Sequence, residues 1–554
     1  MVPFLVRAED LGDKKSFFVE EDYDFKERGE VFAVLKKVSD KAYFFIERDW
    51  LRKLSREEKS QVTSTLNELG EEFDETIYPQ LISIYGQEWS PGIDSDERIT
   101  ILFQRTKENV AGYFRTEDEY EKIQSPRSNV REMVYVGADY LLTSKVNSCL
   151  AHEFTHLINF NQKNRLRAVA EEIWLNELRA ECAPTFLGYD DEYYGSNLQG
   201  RAKQFFSSPS DSLTEWRSLE RDYGVINLFG QYLTDHYGSE ILANSMKSSE
   251  RGIASLNEAL VENGFKEDFS KVFSNWLVAV FVNDCSLGEK YCYLNENLKN
   301  LRVNTSLILL PSSDQSSISF DYSIKEWSGN WFRVLGGEGE LEIVFDGEDE
   351  VDFNLDYVLC GNGKNCRVGE VLLDKNQEGE ITFGDFGEKF TSLTLIPSVQ
   401  SKVSGFNGQE PTYDFSISAS FEVKEEEELI EDLLAQVQEL KAQIASLQAK
   451  IVAILSKGTA GASSSTGFSS FSQNLFYGIK SLKISRLQEF LCNQGAEIYP
   501  EGLVTGYFGP LTKAAVIRFQ EKYRGEILEP LDLNKGTGYV GKLTRRKINS
   551  MLKE

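Results

Sequence analysis

The spacing of apolar residues divides the first 300 positions into a strand-rich stretch followed by a helical one. Short β-prone apolar runs occupy the chain up to about residue 52, and two more strands are predicted at 98–103 and 133–136. Apolar residues at helical spacing predict helices over about 56–84, 144–160, 166–187, 225–237 and 255–282. This order predicts an α+β domain over residues 1–299, with a mixed sheet in its first half and helices in its second.

The pattern changes after residue 300. Short alternating strands, separated by glycine-rich turns, predict a β-sandwich over 300–423. A heptad pattern follows at 424–455, and then a flexible linker rich in Ser, Gly, Ala and Thr at 456–473. A last compact helical domain is predicted at 474–554. The sequence therefore predicts a multidomain protein.

Residues 424–455 place β-branched residues at heptad position a and mostly leucine at position d, which favours a parallel two-stranded coiled coil. Positions a hold Ile430, Val437, Ile444 and Ile451, and positions d hold Leu433, Leu440, Leu447 and Ile454. The expected homodimer is weak, because the pattern is short and positions e and g hold mostly Gln or Lys. A single helix that acts as a spacer is the alternative.

The charge of the chain is negative overall but unevenly distributed. The 554 residues carry a formal net charge of −28, which argues against a nucleic-acid-binding protein. From Leu475 to the C-terminus, however, 13 Lys and Arg stand against 8 Asp and Glu, so this part carries about +5 and the remainder about −33. The two parts therefore face different partners.

Seven cysteines include two close pairs, Cys285/Cys292 and Cys360/Cys366, whose spacing does not match a zinc-type Cys-x-x-Cys motif. Disulfides that close small loops in an oxidising compartment are the better interpretation. Cys149 and Cys182 could form a third bridge or remain free, and Cys492 would be left over.

Two of the three histidines, His152 and His156, lie four positions apart, and Glu153 follows the first. On a helix this spacing places both imidazoles on one face, one turn apart, where they can bind the same Zn²⁺. Glu153 then lies beside the metal and can accept a proton from water. The competing interpretation is an amphipathic helix with two chance histidines, which this combination of spacing and glutamate makes the weaker one.

Such a site needs a third protein ligand and leaves a fourth position open for water. Glu177 lies 21 residues after His156 (177 minus 156), which is enough for the first helix to end and a second helix to pack alongside. Glu181, one turn later on the same face, can accept a hydrogen bond from the far ring nitrogen of a ligand histidine. Surface positions for both glutamates are the alternative. Glu171 and Glu172 are expected to face solvent.

The motif at 152–156, followed by Asn-Glu-x-x-x-Glu at 176–181, resembles the gluzincin metallopeptidases, the clan of thermolysin. The local sequence is most similar to the hyicolysin-type family at 112–114, 128–135, 151–162 and 174–177. The resemblance covers roughly residues 15–285 and implies a zincin fold. It also implies zinc held by His152, His156 and Glu177, with Glu153 as the general base of peptide-bond hydrolysis.

A donor for the oxyanion of the tetrahedral intermediate is harder to identify. Gluzincins usually supply a tyrosine or histidine from the helical half. Tyr223, just before the predicted helix at 225–237, is the better candidate. His236, near the end of that helix, is more typical of a cation at a helix C-terminus.

Residues 474–554 contain two glycine turns that precede helices, with Thr512 and Thr544 near the helix starts. This order is similar to the small three-helix peptidoglycan-binding domain, although Thr505 stands where that family often has Asp. The resemblance implies binding to peptidoglycan, and the basic charge suits an acidic wall polymer. A generic helical interaction domain is the alternative.

The sequence thus predicts a zinc metalloendopeptidase, tethered to the cell wall, that acts on proteins or peptides. A peptidase that cleaves peptidoglycan and a catalytically inactive wall-binding scaffold are the alternatives, and the intact metal motif argues against the second. No run of 18 apolar residues exists, so no membrane-spanning helix is predicted. The first residues do not form a signal peptide, which leaves a cytoplasmic protein or an extracellular, wall-associated one whose signal is absent from this chain. The predicted disulfides and the C-terminal domain favour the second.

Overall fold

The computed structural model describes residues 9–310, 317–361, 365–401, 406–422, 433–434, 436–444, 446–447, 450 and 470–553. The chain divides into two compact units, Met1–Leu434 and Ala435–Glu554. The first unit holds the predicted α+β domain and the strands that follow it, and the second holds the C-terminal helices.

A six-stranded mixed sheet lies in the first half of the larger unit. Its strands are β1 (Lys14–Phe18), β2 (Glu30–Val38), β3 (Ala42–Glu47), β4 (Ile99–Gln104), β5 (Gly112–Phe114) and β6 (Met133–Gly137). They lie in the order β1-β2-β3-β4-β6-β5, with β3, β4 and β6 parallel and the other pairs antiparallel. The central strands β3 and β4 are buried along their whole length, as expected for parallel strands that are covered on both faces.

The predicted helix over 56–84 is one continuous helical segment with a change of pitch in its middle. After the short α1 (Arg48–Lys53) come α2 (Arg56–Glu72), a π-helical turn (Phe73–Ile77) and α3 (Tyr78–Tyr85). Ser55 begins α2 with a capping box, because its hydroxyl accepts from the Glu58 N–H while Glu58 accepts from the Ser55 N–H. The buried faces of these helices share one hydrophobic core with β3 and β4.

The second half of the α+β domain is helical. Its elements are α4 (Val146–Asn159), α5 (Ile173–Phe186), α6 (Asn197–Ser207), the short strand β7 (Glu215–Trp216), α7 (Glu220–Tyr237), α8 (Glu240–Lys247), α9 (Gly252–Glu262) and α10 (Phe269–Val282). The helix predicted from residue 166 is interrupted. A π-helical turn (Phe160–Arg165) continues α4, and helical residues reach Arg167, but residues 168–172 are not helical and α5 begins at Ile173, so the prediction is wrong for 168–172. The chain turns there instead, with Ala168 at φ 57°. The pattern over 255–282 corresponds to two helices, α9 and α10.

Nearly all strands of the segment after residue 300 belong to one nine-stranded sheet, which falls into two groups. Its strands are β8 (Leu307–Leu309), β9 (Ser317–Lys325), β10 (Phe332–Leu335), β11 (Glu338–Gly347), β12 (Phe353–Gly361), β13 (Cys366–Val371), β14 (Glu378–Phe386), β15 (Phe390–Val399), β16 (Phe406–Asn407) and β17 (Thr412–Glu422). Strands β14 and β15 meet at one residue pair, Phe386 and Phe390, which separates β13-β12-β15-β10-β8 from β14-β11-β17-β9. Apolar side chains of both groups, such as Val334 and Phe415, form one core. Two groups of strands that share a core are compatible with the predicted β-sandwich, and we call these strands the sandwich.

The sandwich and the helical half pack as one body. Trp327 and Trp331 are buried in the core of the helical half, and Trp331 Nε1 donates to the Leu277 carbonyl of α10 at 3.1 Å. Strand β16 leaves the sandwich and pairs in parallel with β7. The boundary predicted at residues 299–300 therefore divides two parts that share a hydrophobic core.

The two predicted small-loop disulfides are confirmed, Cys285–Cys292 and Cys360–Cys366. Cys149 and Cys182, for which the sequence left a bridge open, are buried free thiols. The Cys149 thiol donates to the Ala111 carbonyl at 3.2 Å. Cys492 is also free.

The described residues between 433 and 450 are helical, in agreement with the heptad pattern. Val437, Leu440, Ile444 and Leu447 are 43–57% exposed, so the apolar seam is not covered by the described part of this chain. Ile430, Ile451, Ile454 and most of the predicted linker lie outside the described residues.

The C-terminal domain packs its helices around one core that includes Leu487, Phe508, Phe519 and Ile548. The helices are α11 (Leu482–Asn493), α12 (Pro510–Lys522), the short α13 (Arg524–Ile527) and α14 (Lys542–Met551). Thr512 and Thr544 lie in the first turns of α12 and α14, as predicted. Across the parts of the chain that the structure describes, the helices are too short or too polar to cross a membrane.

Candidate metal centre and active site

Helix α4 carries His152, Glu153 and His156 and is buried along most of its length. It packs between the sheet and α5. Phe154 stacks on Tyr78 and meets Phe73 edge-on, with ring centroids 5.5 and 5.2 Å apart. These aromatic contacts fix the rotation of the helix, and its two histidines face α5.

The donor atoms of His152, His156 and Glu177 converge on one point. The two Nε2 atoms are 3.1 Å apart, and Glu177 Oε2 lies 3.2 Å from His152 Nε2 and 3.6 Å from His156 Nε2. Zinc binds N and O atoms tetrahedrally at about 2.0–2.2 Å, which separates neighbouring ligand atoms by roughly 3.3–3.6 Å. Among the described residues, this is the only group of His, Cys, Asp or Glu side chains that brings three donor atoms so close.

The partners of the two Nδ1 atoms leave both Nε2 atoms free to act as metal ligands. His156 Nδ1 lies 3.1 Å from Asn176 Oδ1, and His152 Nδ1 lies 3.5 Å from Glu181 Oε1. A proton on each Nδ1 leaves lone pairs on both Nε2 atoms, and these face each other and the Glu177 carboxylate. Burial acts to lower the pKa of His156, yet the Glu177 carboxylate beside it raises that pKa to about 9. The cluster attracts positive charge, and its residues fit Zn²⁺.

Glu181 is the centre of a buried network behind His152. Its side chain is fully buried, and Arg201 donates to both carboxylate oxygens, from Nη2 at 2.6 Å and from Nε at 2.8 Å. Asn197 and Asn227 donate to Oε2 at 2.9 and 3.2 Å. Burial acts to raise the pKa of Glu181, but the Arg201 guanidinium keeps it below its ordinary value. Glu181 is therefore a fixed anion that can orient the His152 ring.

Glu153 lies next to the cluster of His152, His156 and Glu177 and is 4% exposed. Burial raises the pKa of its carboxyl to about 7, while the two imidazoles act to lower it. The backbone of Gly112 on strand β5 closes one side, since a Cβ at this position would lie 2.6 Å from Glu153 Oε1. Glycine at 112 thus gives the carboxylate its space beside the edge of the sheet.

Tyr223, the predicted oxyanion donor, lies in the first turn of α7, on the Arg201 side of the metal cluster. The Arg201 guanidinium lies 4.5 Å from the centroid of its ring, and Trp216 packs edge-on at 5.0 Å. Burial raises the pKa of Tyr223, and the Glu177 and Glu181 carboxylates raise it further. The phenol is therefore neutral, and it lies near the candidate metal ligands.

His236 lies at the opposite end of the same helix. Its Nε2 is 2.8 Å from the Cys292 carbonyl oxygen, and its ring packs against Tyr232 at 4.6 Å. These contacts tie the end of α7 to the disulfide loop, and they support the preference for Tyr223 over His236.

Sequence reasoning missed three side chains around the site. Asn176 stood inside the quoted motif but was given no role, and Arg201 comes from α6, for which no pattern was recognised. Tyr23 packs against Tyr113 with tilted rings, whose centroids are 5.2 Å apart, and is 42% exposed. Burial and then the carboxylates of Glu20 and Glu177 raise the pKa of its phenol. Of these three side chains, only Asn176 could have been found from the sequence. It precedes the candidate ligand Glu177, and a side chain in that position can reach the imidazole of His156.

The prediction that Glu171 faces solvent is wrong. Its side chain is 1% exposed and lies 2.7 Å from Arg179 Nη1 and 3.2 Å from Lys163 Nζ, both of which are fully buried. Burial acts to raise the pKa of Glu171, but the two cations keep it below its ordinary value. Glu172, also expected in solvent, is half-buried and accepts from Trp174 Nε1 at 2.6 Å. Glu171 and its two cations, Arg179 and Lys163, hold the turn between α4 and α5 and so help to fix the separation of the two helices that carry the candidate metal ligands.

Comparisons with known proteins agree with both resemblances. Residues 481–527 match the family described as "Putative peptidoglycan binding domain". The chain is also similar to the neutral metalloprotease ShpI of Staphylococcus hyicus, with 30% identity over 212 residues, covering 33% of this chain and 46% of that protein. The resemblances to a metalloprotease and to a peptidoglycan-binding domain are thus confirmed. The chain spans less than half the length of that relative.

Similar solved structures include the mitogen of Yersinia pseudotuberculosis, with 15% identity over 20% of this chain and 89% of that one. The pre-peptidase C-terminal domain of a Bacillus anthracis collagenase shows 11% identity over 21% of this chain and 97% of that one. Both TM-scores are 0.15, which is too low to carry an argument about fold or function.

Proposed function

We propose that this protein is a zinc metalloendopeptidase of the gluzincin type that hydrolyses peptide bonds in proteins while bound to the cell wall. The observation that carries the proposal is the triangle of His152 Nε2, His156 Nε2 and Glu177 Oε2, with edges of 3.1–3.6 Å. Glu153 lies buried next to it. This is a complete set of residues for metal-assisted hydrolysis.

In this proposal His152, His156 and Glu177 hold zinc. Bound zinc would polarise the scissile carbonyl and make water more acidic. Glu153 takes the proton of the attacking water and passes it to the leaving nitrogen. A carboxyl whose pKa lies near 7 suits both steps at neutral pH, because it can take up and release the proton with little cost.

Tyr223 donates a hydrogen bond to the oxygen that becomes negatively charged in the tetrahedral intermediate. Its phenol stays protonated at neutral pH, since burial raises its pKa. Arg201 lies against its ring and holds Glu181, so one cation orients both the donor and the network behind His152.

The edge of the sheet supplies a place for the substrate backbone. Strand β5 is the last strand of the sheet, and its Gly112 lies against Glu153. An extended peptide can add to such an edge through main-chain hydrogen bonds, which would place its scissile bond beside the metal ligands. Recognition of main chain rather than side chains suits an enzyme that acts on proteins.

The C-terminal domain tethers the enzyme to peptidoglycan, which implies an extracellular, wall-associated protein. The similarity of residues 481–527 to peptidoglycan-binding domains and the two disulfides support this location. The exposed seam of Val437, Leu440, Ile444 and Leu447 supports a weak parallel homodimer through residues 424–455.

Two alternatives to a protein-cleaving enzyme are a peptidase that cleaves peptidoglycan and an inactive scaffold. A peptidase that cuts the peptides of peptidoglycan is favoured only by the wall-binding domain, since nothing in the motif at 152–156 selects D-residues. An inactive scaffold is disfavoured because the side chains required for hydrolysis are present and face one another.

Metal analysis and one substitution test the proposal. Purified protein should contain about one zinc per chain, and Glu153→Gln should keep the zinc but lose casein hydrolysis, because the ligands survive and the base does not. Glu71→Gln, on the exposed face of α2, is the matched control and should remain active. Absence of zinc, or full activity of Glu153→Gln, would refute the mechanism.

Fragment analysis separates the two substrates. After incubation of the enzyme with purified sacculi and, separately, with protein, mass spectrometry should find new peptide ends in the protein sample. Release of wall peptides from sacculi, with protein left intact, would instead establish the peptidoglycan-cleaving alternative.

A further inference from the structure

The C-terminal domain contains the same structural unit twice. In each copy a buried glutamine, Gln488 or Gln520, accepts from a backbone N–H 17 positions later and donates to a threonine hydroxyl 24 positions later. The first copy ends at Thr512 and the second at Thr544. The glycines of the two loops, Gly506 and Gly538, adopt the same left-handed conformation, with φ of 72° and 71°. The second unit extends beyond the matched residues 481–527.

Each unit displays one tyrosine at the tip of its loop. Tyr507 and Tyr539 are 41% and 42% exposed. Each ring lies over the glycine two positions later. A Cβ added at Gly509 or Gly541 would be 3.3 Å from the nearest ring atom. The two tyrosines are therefore held in the same way, by loops that the buried glutamines fix.

Only the second tyrosine belongs to an aromatic cluster among the described residues. The segment before α11 pairs with both loops, Leu475 with Val540 and Lys480 with Tyr507. Between these pairs it exposes Phe476 and Tyr477, which are 47% and 52% exposed. Phe476 stacks on Tyr539, with ring centroids 6.0 Å apart and 21° between the planes.

Lys513 joins the same cluster from α12. Its ammonium lies 6.0 Å from the centroid of the Tyr477 ring, and its aliphatic stem crosses Gly538, where a Cβ would be 2.6 Å from Lys513 Cγ. We name Phe476, Tyr477, Lys513 and Tyr539 the aromatic platform. Three exposed rings and a cation on one surface are unusual, since large aromatic side chains favour burial.

We propose that the aromatic platform binds the glycan strand of peptidoglycan, a proposal that rests on the wall-binding role proposed above. A pyranose ring presents a face of C–H groups that packs on aromatic rings, while its hydroxyl and acetamido oxygens can accept from the Lys513 ammonium. A row of flat rings suits a linear chain of sugars. A stem peptide, which carries carboxylates and amines, would instead need paired charges that the platform does not offer.

Binding assays with the full-length protein test this assignment. The protein should pellet with intact sacculi, and soluble glycan strands freed of peptide by an amidase should compete. Purified stem peptides should not compete. Tyr539→Ala and Tyr477→Ala should each weaken binding to sacculi about tenfold, because each removes a stacking surface worth about 1.4 kcal/mol.

Tyr507→Ala is the matched control for Tyr539→Ala. Tyr507 has nearly the same exposure as Tyr539 and lies in the corresponding loop of the first unit, but it is outside the aromatic platform. It should weaken binding less than threefold, and thermal unfolding should be unchanged in all three variants because the side chains are exposed. Competition by stem peptides alone, or equal effects of the Tyr539 and Tyr507 variants, would overturn the assignment while leaving wall binding intact. A wild-type protein that does not pellet with sacculi would overturn both.

Discussion

Replacing Arg201 tests how the proposed metal centre is held. Arg201 donates to both oxygens of the fully buried Glu181, at 2.6 and 2.8 Å, and Glu181 Oε1 lies 3.5 Å from His152 Nδ1. Arg201→Met keeps most of the apolar stem but removes the guanidinium. The substitution therefore leaves the buried carboxylate without its cation.

The size of the effect follows from these contacts. Removing one partner of a buried ion pair costs about 3–5 kcal/mol, and the lower end applies here, because Asn197 and Asn227 still donate to Oε2 and the Arg201 side chain is 21% exposed. We expect a loss of about 3 kcal/mol in the free energy of unfolding. Because Glu181 no longer orients His152 firmly, zinc affinity should fall about 10–100-fold.

The pH dependence supplies a second check on the same pair. Arg201 keeps the pKa of Glu181 below its ordinary value against the effect of burial. In the wild type this stabilisation is present above the unfolded pKa of Glu and is lost as pH falls through the folded pKa. The stability difference between wild type and Arg201→Met should therefore shrink toward acid pH, as Glu181 in the variant takes up a proton.

The assays are urea unfolding and zinc competition with a chelator, on Arg201→Met, Glu181→Gln and the double variant. The double variant should lose less than the sum of the single losses, because it leaves no unpaired buried charge. Arg52→Met, which removes an exposed pair with Asp49 at 3.9 Å, should change stability by less than about 0.5 kcal/mol. A change that small for Arg201→Met, with unaltered zinc affinity, would refute the reasoning.

Three further predictions concern catalysis, buried charge and assembly. Tyr223→Phe should lower kcat about 10²–10³-fold with little change in KM, because only the hydroxyl that meets the oxyanion is lost; an unchanged kcat would exclude this role. Burial raises the pKa of Glu132 from its ordinary value of 4.5 to about 8. Since the folded state holds this proton more tightly than the unfolded chain, this group should make stability fall as pH rises from 5 to 8, and thermal unfolding of Glu132→Gln should show a flatter dependence. Leu440→Lys should convert a sedimenting dimer into a monomer, whereas Ala442→Lys, at heptad position f on the outer face of the same helix, should not.

The convergence of the three proposed ligand side chains could be predicted because their geometry is local. His152 and His156 share a face through helical spacing alone, and the distance in sequence to Glu177 allows a second antiparallel helix. The network behind them could not be predicted in the same way. Arg201 and Asn227 reach Glu181 from α6 and α7, and no spacing rule links those helices to the metal motif. Glu171 was misplaced for a related reason, since a carboxylate in a charged segment looks exposed until its buried partners are known.

The order of sheet, helices and sandwich followed from apolar spacing, but the packing of the sandwich on the helical half did not. Strand β7 has only two residues and pairs with β16, which also has two. The Thr214 hydroxyl donates to Glu410 across 196 positions of sequence, at 2.9 Å. Pairings this short and this distant leave no periodic signal in the chain.

That packing bears on the catalytic residues. The Gly408 N–H donates to the Trp216 carbonyl at 2.8 Å, and Trp216 packs edge-on against Tyr223 at 5.0 Å. Lys325 of the sandwich pairs with Glu215, the neighbour of Trp216. The strand that supports the Tyr223 ring is thus held from its other side by the sandwich. The segment after residue 300 therefore helps to set the position of the proposed oxyanion donor, and residues 1–299 contain the proposed metal ligands but not all of the contacts that complete the site.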